Sequence, residues 1–209
     1  MTNAVLAKLR AFVTGTPVVE CELCAESITV EHEHLLEQDA RRVFCACPAC
    51  AALFCQEQQR QGPRYLRVER RAARLLELHF DDLVWADLGV PVGLAYFTTR
   101  SRSGEVVATF PGRAGIIESF VPLKTWGELE RRFPVIKGIL PDVEGLLVRR
   151  SVRHHDYFQV SIDHCYELAA LLRAAEAPLA SLDLAPVQGF FNDLEERASQ
   201  KRHSRRPAS

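Results

Sequence analysis

Two short segments decide the architecture: Cys21-Glu-Leu-Cys24 and, 22 residues further on, Cys47-Pro-Ala-Cys50. A two-residue gap lets a tight turn present both sulfurs to one cation. Two such turns supply four sulfurs at the corners of a tetrahedron. The metal then fixes a segment too short to build its own core, and Pro48 presets φ for the second turn. One feature departs from the usual pattern. Turns of this kind commonly carry glycine just after the second cysteine, and here Ala25 and Ala51 stand there.

Further ligand-type residues crowd the same region, since six of the seven cysteines lie between Cys21 and Cys55. Cys45 precedes Cys47 by two, and Cys55 follows Cys50 by five. If residues 43–47 are extended, Cys45 and Cys47 point the same way. Cys45 then replaces Cys47 or lies beside the site. His34 is a further alternate ligand. The plainer reading makes Cys45 and Cys55 small hydrophobes beside Phe44 and Phe54, and His32 and His34 solvated or supporting groups. Soft tetrahedral thiolates suit zinc or iron. Zinc is the default; iron or an iron–sulfur cluster is the alternative, because six cysteines exceed what zinc needs. Four thiolates leave no open coordination position, so such a site is structural or a docking surface, not hydrolytic.

Outward from this region, the 209 residues fit a small module joined to a compact domain. A hydrophobic content of 47% excludes wholesale disorder. With 26 basic and 27 acidic residues, no net charge draws the chain to nucleic acid or anionic membrane. Residues 1–14 are broken by Lys8 and Arg10 and do not read as a signal peptide. No window suits a membrane span. The expected location is the cytoplasm, where clustered thiols bind metal more often than they form disulfides.

The expected organisation is an N-terminal helix and Cys-rich module over 1–60, an α+β domain over 61–199, and a basic disordered tail over 200–209. Val5, Leu6, Leu9, Phe12 and Val13 recur at helical spacing. Residues 56–63 are polar, end in Gly-Pro and read as a loop. Tyr65 to Val68 alternates like a strand, whereas the RRAARLLEL that follows fits strand or helix. Asp81 or Asp82 caps a short helix to Leu88. Residues 90–99 and 105–110 form a hairpin around Arg102-Ser103-Gly104, and residues 143–149 and 157–161 another around His154-His155-Asp156. A capping box of Thr125 and Glu128 opens a helix that Pro134 limits. Asp163 caps a helix to Ala175, and Pro186 starts the last one. Strands joined by short turns and then helices argue for a zinc-ribbon-like module followed by a mixed, mainly antiparallel α+β domain.

No hydrolase, P-loop or dinucleotide fingerprint occurs. Asp142, Glu144, Asp163 and Glu118 form a candidate carboxylate cluster. The plainer reading makes Asp163 a cap and pairs the others with solvent, Arg149 or Arg150. Cys165 reads as a buried structural thiol. A nuclease of the His-between-Cys-pairs type needs Asn and His after the second pair, and CAALFCQEQQ follows instead. A nucleic-acid-binding zinc module needs basic side chains. Residues 20–40 carry seven acidic side chains and no Lys or Arg.

The segments CELC, EHEHLLE, CACPACAALF, WADLGVPVGLAYF, PGRAGIIESFVPL, LPDVEGLLVRR and SIDHCYELAALLRA resemble an uncharacterised actinobacterial family over about residues 18–195. Its members are often encoded beside genes for NiFe hydrogenase subunits and maturation factors. The resemblance carries no catalytic residue across. It implies an accessory, assembly or electron-transfer role, with hydrogenase subunits or maturation factors as protein partners. The expectation is therefore a metal-binding protein that docks on a partner and is not an enzyme.

Overall fold

The structure is a computed structural model that describes residues 19–56, 64–113, 115–152, 155–174 and 185–204, the last five of these by backbone alone. The expected N-terminal helix, the loop after Gln56 and His154 lie outside the described residues. The chain divides into two compact units, Met1–Glu69 and Arg70–Ser209. The division falls after Glu69 rather than after residue 60 because the strand at Tyr65–Val68 pairs within the first unit.

In the first unit, β1 (Val19–Glu20) and β2 (Ser27–Ile28) form a short hairpin. A three-stranded antiparallel sheet has β3 (Glu33–Glu37) at its centre, between β4 (Arg42–Ala46) and β5 (Tyr65–Val68). Helix α1 (Pro48–Gln56) follows β4 directly. Leu35 and Leu36 are both fully buried, although neighbouring residues of a strand face opposite ways, so both sides of β3 are covered. Among the described residues, one core cluster consists of Cys21, Leu35, Ala46, Cys47 and Ala51, with Phe54 and Tyr65 against it. Two of those five buried residues are cysteines of the paired motifs.

The second unit is built on a six-stranded antiparallel sheet. Its order is β6 (Ala72–Arg74), β11 (His155–Ser161), β10 (Glu144–Arg150), β7 (Leu94–Thr99), β8 (Val106–Gly112) and β9 (Gly115–Val121). Helix α2 (Asp82–Asp87) starts where Asp81 accepts the Val84 N–H at 2.9 Å, and α3 spans Leu123–Arg132. Trp85 of α2 and Trp126 of α3 pack on Phe97 from one face of the sheet, with ring centroids 6.0 and 5.7 Å away. From α5 (Ala185–Ser204), Phe191 packs on Phe158 of β11 at 6.2 Å. The strands are thus apolar on successive positions, as Leu94 to Phe97 and Leu146 to Val148 are, because both faces are buried. The mixed α+β class with antiparallel sheets is as expected from the sequence.

Several local expectations give way to packing. RRAARLLEL is not helical: β6 pairs with β11, and Leu75, Leu78 and Phe80 enter the core. Helix α3 begins before Thr125, because the Pro122 carbonyl accepts the Trp126 N–H at 3.0 Å; no side chain caps it. His155 and Asp156 are strand residues rather than turn residues. Helix α4 (Ile162–Ala174) takes Asp163 into its first turn. Helix α5 continues beyond residue 199 to Ser204, so the expected tail begins inside it.

Candidate metal centre

The first cysteine pair occupies the turn between β1 and β2. Cys21 N–H donates to the Glu26 carbonyl at 2.8 Å, and Ala25 N–H donates to the Cys21 carbonyl at 2.8 Å. This tight turn drives Ala25 to φ 60°, in the left-handed region. That is the physical reason for the usual glycine at this position. Ala25→Gly is expected to stabilise the first unit by roughly 0.5–1 kcal/mol, read as a shift in denaturation midpoint of metal-loaded protein. No such demand exists at Ala51, which is helical.

The second pair is built at a helix start. Pro48 is the first residue of α1, where its missing N–H costs nothing. Cys47 precedes it, and its Sγ accepts the Cys50 N–H at 3.4 Å while its carbonyl accepts the Ala51 N–H at 2.9 Å. The cysteine thus takes the place of a Ser or Asp cap at the start of the helix. Glu22 joins the two halves. Its N–H donates to the Cys45 carbonyl at 2.9 Å, and its carboxylate accepts the Cys45 N–H at 2.8 Å.

The result is convergence. The sulfurs of Cys21, Cys24, Cys47 and Cys50 all lie within 4.8 Å of one another, and none of the four is in a disulfide. Cys24 Sγ and Cys47 Sγ are 3.8 Å apart. Thiolates bound tetrahedrally at about 2.3 Å from zinc sit about 3.8 Å apart, so the residues fit a single ion of that size. Burial pushes the Cys21 thiol up, but backbone hydrogen bonds around Cys47, Leu23 and Cys24 outweigh it and bring its pKa to about 6. Burial and the neighbouring sulfurs push Cys50 the other way. The protein stabilises part of the negative charge through its own N–H groups; a cation is what lets all four sulfurs ionise together. The four-cysteine cluster can hold a metal ion.

The alternates fall elsewhere. Cys45 does not replace Cys47: it lies opposite His34 in the β3–β4 ladder, and its sulfur groups with the rings of His32 and His34. Cys55 lies at the far end of α1, where burial raises its pKa against the opposing effect of Arg67. It belongs to neither group. The sequence did contain a signal for the histidines: His32 and His34 are two apart, the spacing that puts neighbours on one side of an extended chain.

The four acidic residues of the second unit do not converge as a site. Asp142 binds the Ser101 hydroxyl and N–H, the latter at 3.3 Å. Glu144 accepts from Leu140 N–H at 2.9 Å and from Gln159 at 2.5 Å. Asp163 pairs with Arg70 at 3.1 Å, and Glu118 with Arg100 at 3.3 Å. Arg149 pairs with Asp156 and Arg150 with Asp82. Cys165 is fully buried. Ser161 and His164 stand 2.7 Å apart, but the Arg197 guanidinium, 3.4 Å from His164 Nε2, only donates. That leaves the ring proton on Nδ1, donated to the serine, so this histidine is not placed to deprotonate Ser161.

Fold and site together define an α+β protein with antiparallel sheets and, near its N-terminus, a four-cysteine cluster that can hold a metal ion. The chain belongs to the Family of unknown function (DUF5947), whose model matches residues 20–198. No curated protein and no solved structure matches it. Among the described residues, no helix is long and apolar enough to cross a membrane.

Proposed function

We propose that this protein is a zinc-binding accessory or assembly factor that works in the cytoplasm by docking on a partner protein. The observation that carries the reading is the closed set of four sulfurs with a 3.8 Å tetrahedral edge between Cys24 and Cys47. Such a set uses every coordination position and so serves shape, not turnover. The partner class, NiFe hydrogenase subunits or maturation factors, follows from the resemblance drawn from the sequence. Iron is the second reading, favoured by the same soft donor set.

The contact surface is better sought on the second unit than on the acidic strand β3. Glu33 and Glu37 are engaged by Arg67 at 3.5 Å and Arg64 at 2.8 Å. By contrast, β9 is an edge strand with Ile117 and Phe120 exposed, and Leu123 follows it, also exposed. An edge with apolar side chains suits addition to another protein. Elemental analysis and an optical spectrum of anaerobically purified protein test the metal: stoichiometric zinc without visible absorption is expected. An iron chromophore would replace zinc with the second reading. Affinity purification from the native host tests docking, with hydrogenase or maturation proteins expected for the wild type and lost for Phe120→Arg. Recovery of neither, with metal-dependent turnover of a substrate, would overturn the accessory role.

A further inference from the structure

We propose that His32, His34 and Cys45 form a second metal site that holds a divalent ion of the zinc class, with one coordination position left to water. No ligand is shared with the four-thiolate set, so the proposal stands apart from the function argued above.

The first observation is convergence. One ring nitrogen from each histidine and the Cys45 sulfur lie within 4.8 Å of one another. His32 Nε2 and His34 Nε2 are 3.0 Å apart, close to the spacing of about 3.3 Å that two imidazoles take on one tetrahedral zinc. The ladder supplies Cys45, because it is the residue directly opposite His34 across the β3–β4 pair.

The second observation is the tautomer. His32 Nδ1 lies 2.9 Å from the Thr29 carbonyl oxygen, which only accepts. The Nδ1 must therefore carry the proton, and the lone pair of the neutral ring is on Nε2, aimed at His34. A backbone carbonyl holding the far nitrogen of a ligating histidine is the usual support of a metal-bound imidazole. The Thr29 hydroxyl in turn donates to the Glu31 carbonyl, which fixes the bend that aims His32. Between two neutral rings, one shared proton can hold the Nε2 atoms together; a cation does the same with the sulfur as third donor.

Two further features fit. Cys45 is locked from behind by both hydrogen bonds to Glu22, so its backbone is fixed by the loop that carries Cys21 and Cys24. Carboxylates stand close to the site, Glu22 on the Cys45 N–H and Glu33 between the two histidines in the chain, each also paired with an arginine, Arg42 and Arg67. The donor set of two imidazoles and one thiolate suits zinc rather than magnesium or calcium. Three protein ligands leave a fourth position for water, the arrangement of exchangeable or reactive zinc rather than of structural zinc. Its three ligands are half-buried, and the four-thiolate set runs from buried Cys21 and Cys47 to exposed Cys24, so it is the open fourth position that makes this ion the more easily exchanged of the two.

The test is metal titration of the full chain, stripped and then reloaded with zinc against a chromophoric chelator, and in parallel with cobalt. The wild type is expected to take up a tightly held ion and then a second, weaker one. The second cobalt ion should add thiolate-to-metal absorption. Cys45→Ser should remove that increment, and His32→Ala with His34→Ala should lower second-ion affinity at least about a hundredfold, with the first ion and the circular dichroism unchanged. A chain that takes up only the four-thiolate ion would overturn the proposal. So would a second ion whose affinity and absorption are unaffected by these variants. Should Cys45→Ser misfold, His32→Gln decides alone, because His32 lies before β3 and pairs with no strand. A sole ion lost with the histidine variants but kept by Cys21→Ser would leave this site standing and remove the other.

Discussion

Removing the metal, by chelation or by Cys21→Ser with Cys50→Ser, is expected to unfold the described part of the first unit, residues 19–56 and 64–69, and leave the second unit's sheet intact. The core cluster around Leu35 makes the reason plain. It contains Cys21 and Cys47 themselves, and among the described residues its one large fully buried side chain is Leu35. With Leu36 buried on the other side of β3, two such leucines contribute roughly 3–6 kcal/mol, whereas a structural zinc contributes about 10–16 kcal/mol in small modules. Without the cation, those buried sulfurs must be protonated or repel one another. Limited proteolysis after chelation should cut between residues 19 and 56 first. First cleavage between 70 and 174 would show that the metal does not hold the first unit together. Amide exchange should agree, with protection lost in β3 and β4 but kept in β7 and β10.

The second large effect lies in the other unit. Asp156→Ala is expected to cost about 3–5 kcal/mol, because it strands a buried cation. Arg149 is 3% exposed and directs both Nε, at 2.9 Å, and a terminal nitrogen, at 2.6 Å, onto Asp156 Oδ2. Arg74 reaches Oδ1 of the same carboxylate at 2.6 Å. Phe191 lies against the Arg149 guanidinium, 4.0 Å from its ring centroid, and supplies no counter-charge. Among the described residues, Arg149 Nη1 has no hydrogen-bond partner, and Glu195, 3.7 Å from the other terminal nitrogen, is itself 41% exposed and offsets only a little of the loss. A fall in Tm on the order of 10 °C should follow. Arg149→Met combined with Asp156→Leu should recover most of it, since an apolar pair of similar volume replaces both charges. A loss below 1 kcal/mol in Asp156→Ala would mean that water reaches this pair.

Features set by neighbours in the chain were legible in the sequence. The paired cysteines, the Asp81 cap and the turn at Arg102-Ser103-Gly104 all depend on residues a few positions apart, and the structure has each where the spacing put it. What escaped depends on partners far away. Ala72 to Arg74 is a strand only because β11 offers an edge. Asp156 reads as a turn residue until Arg149 and Arg74 are brought against it from other strands. Cys45 and His34 are separated by a hairpin whose register the sequence does not state, so the sequence alone hides their juxtaposition. Thr125 is the opposite failure: a valid local capping signal overridden by Pro122, which starts the helix earlier.

The β3–β4 hairpin also sets an order of assembly. Its ends are joined by a turn over residues 38–41, with Arg41 at φ 53°, and α1 follows without a long connection. All four paired cysteines, both histidines and Cys45 therefore emerge from the ribosome before β5, and well before any strand of the large sheet. Closing so short a turn takes microseconds, whereas translation takes a fraction of a second for the same stretch. The residues that could hold an ion are thus all present while the rest of the chain is still being made. On the proposed reading, metal supply at the moment of synthesis would then bear directly on what fraction of chains matures.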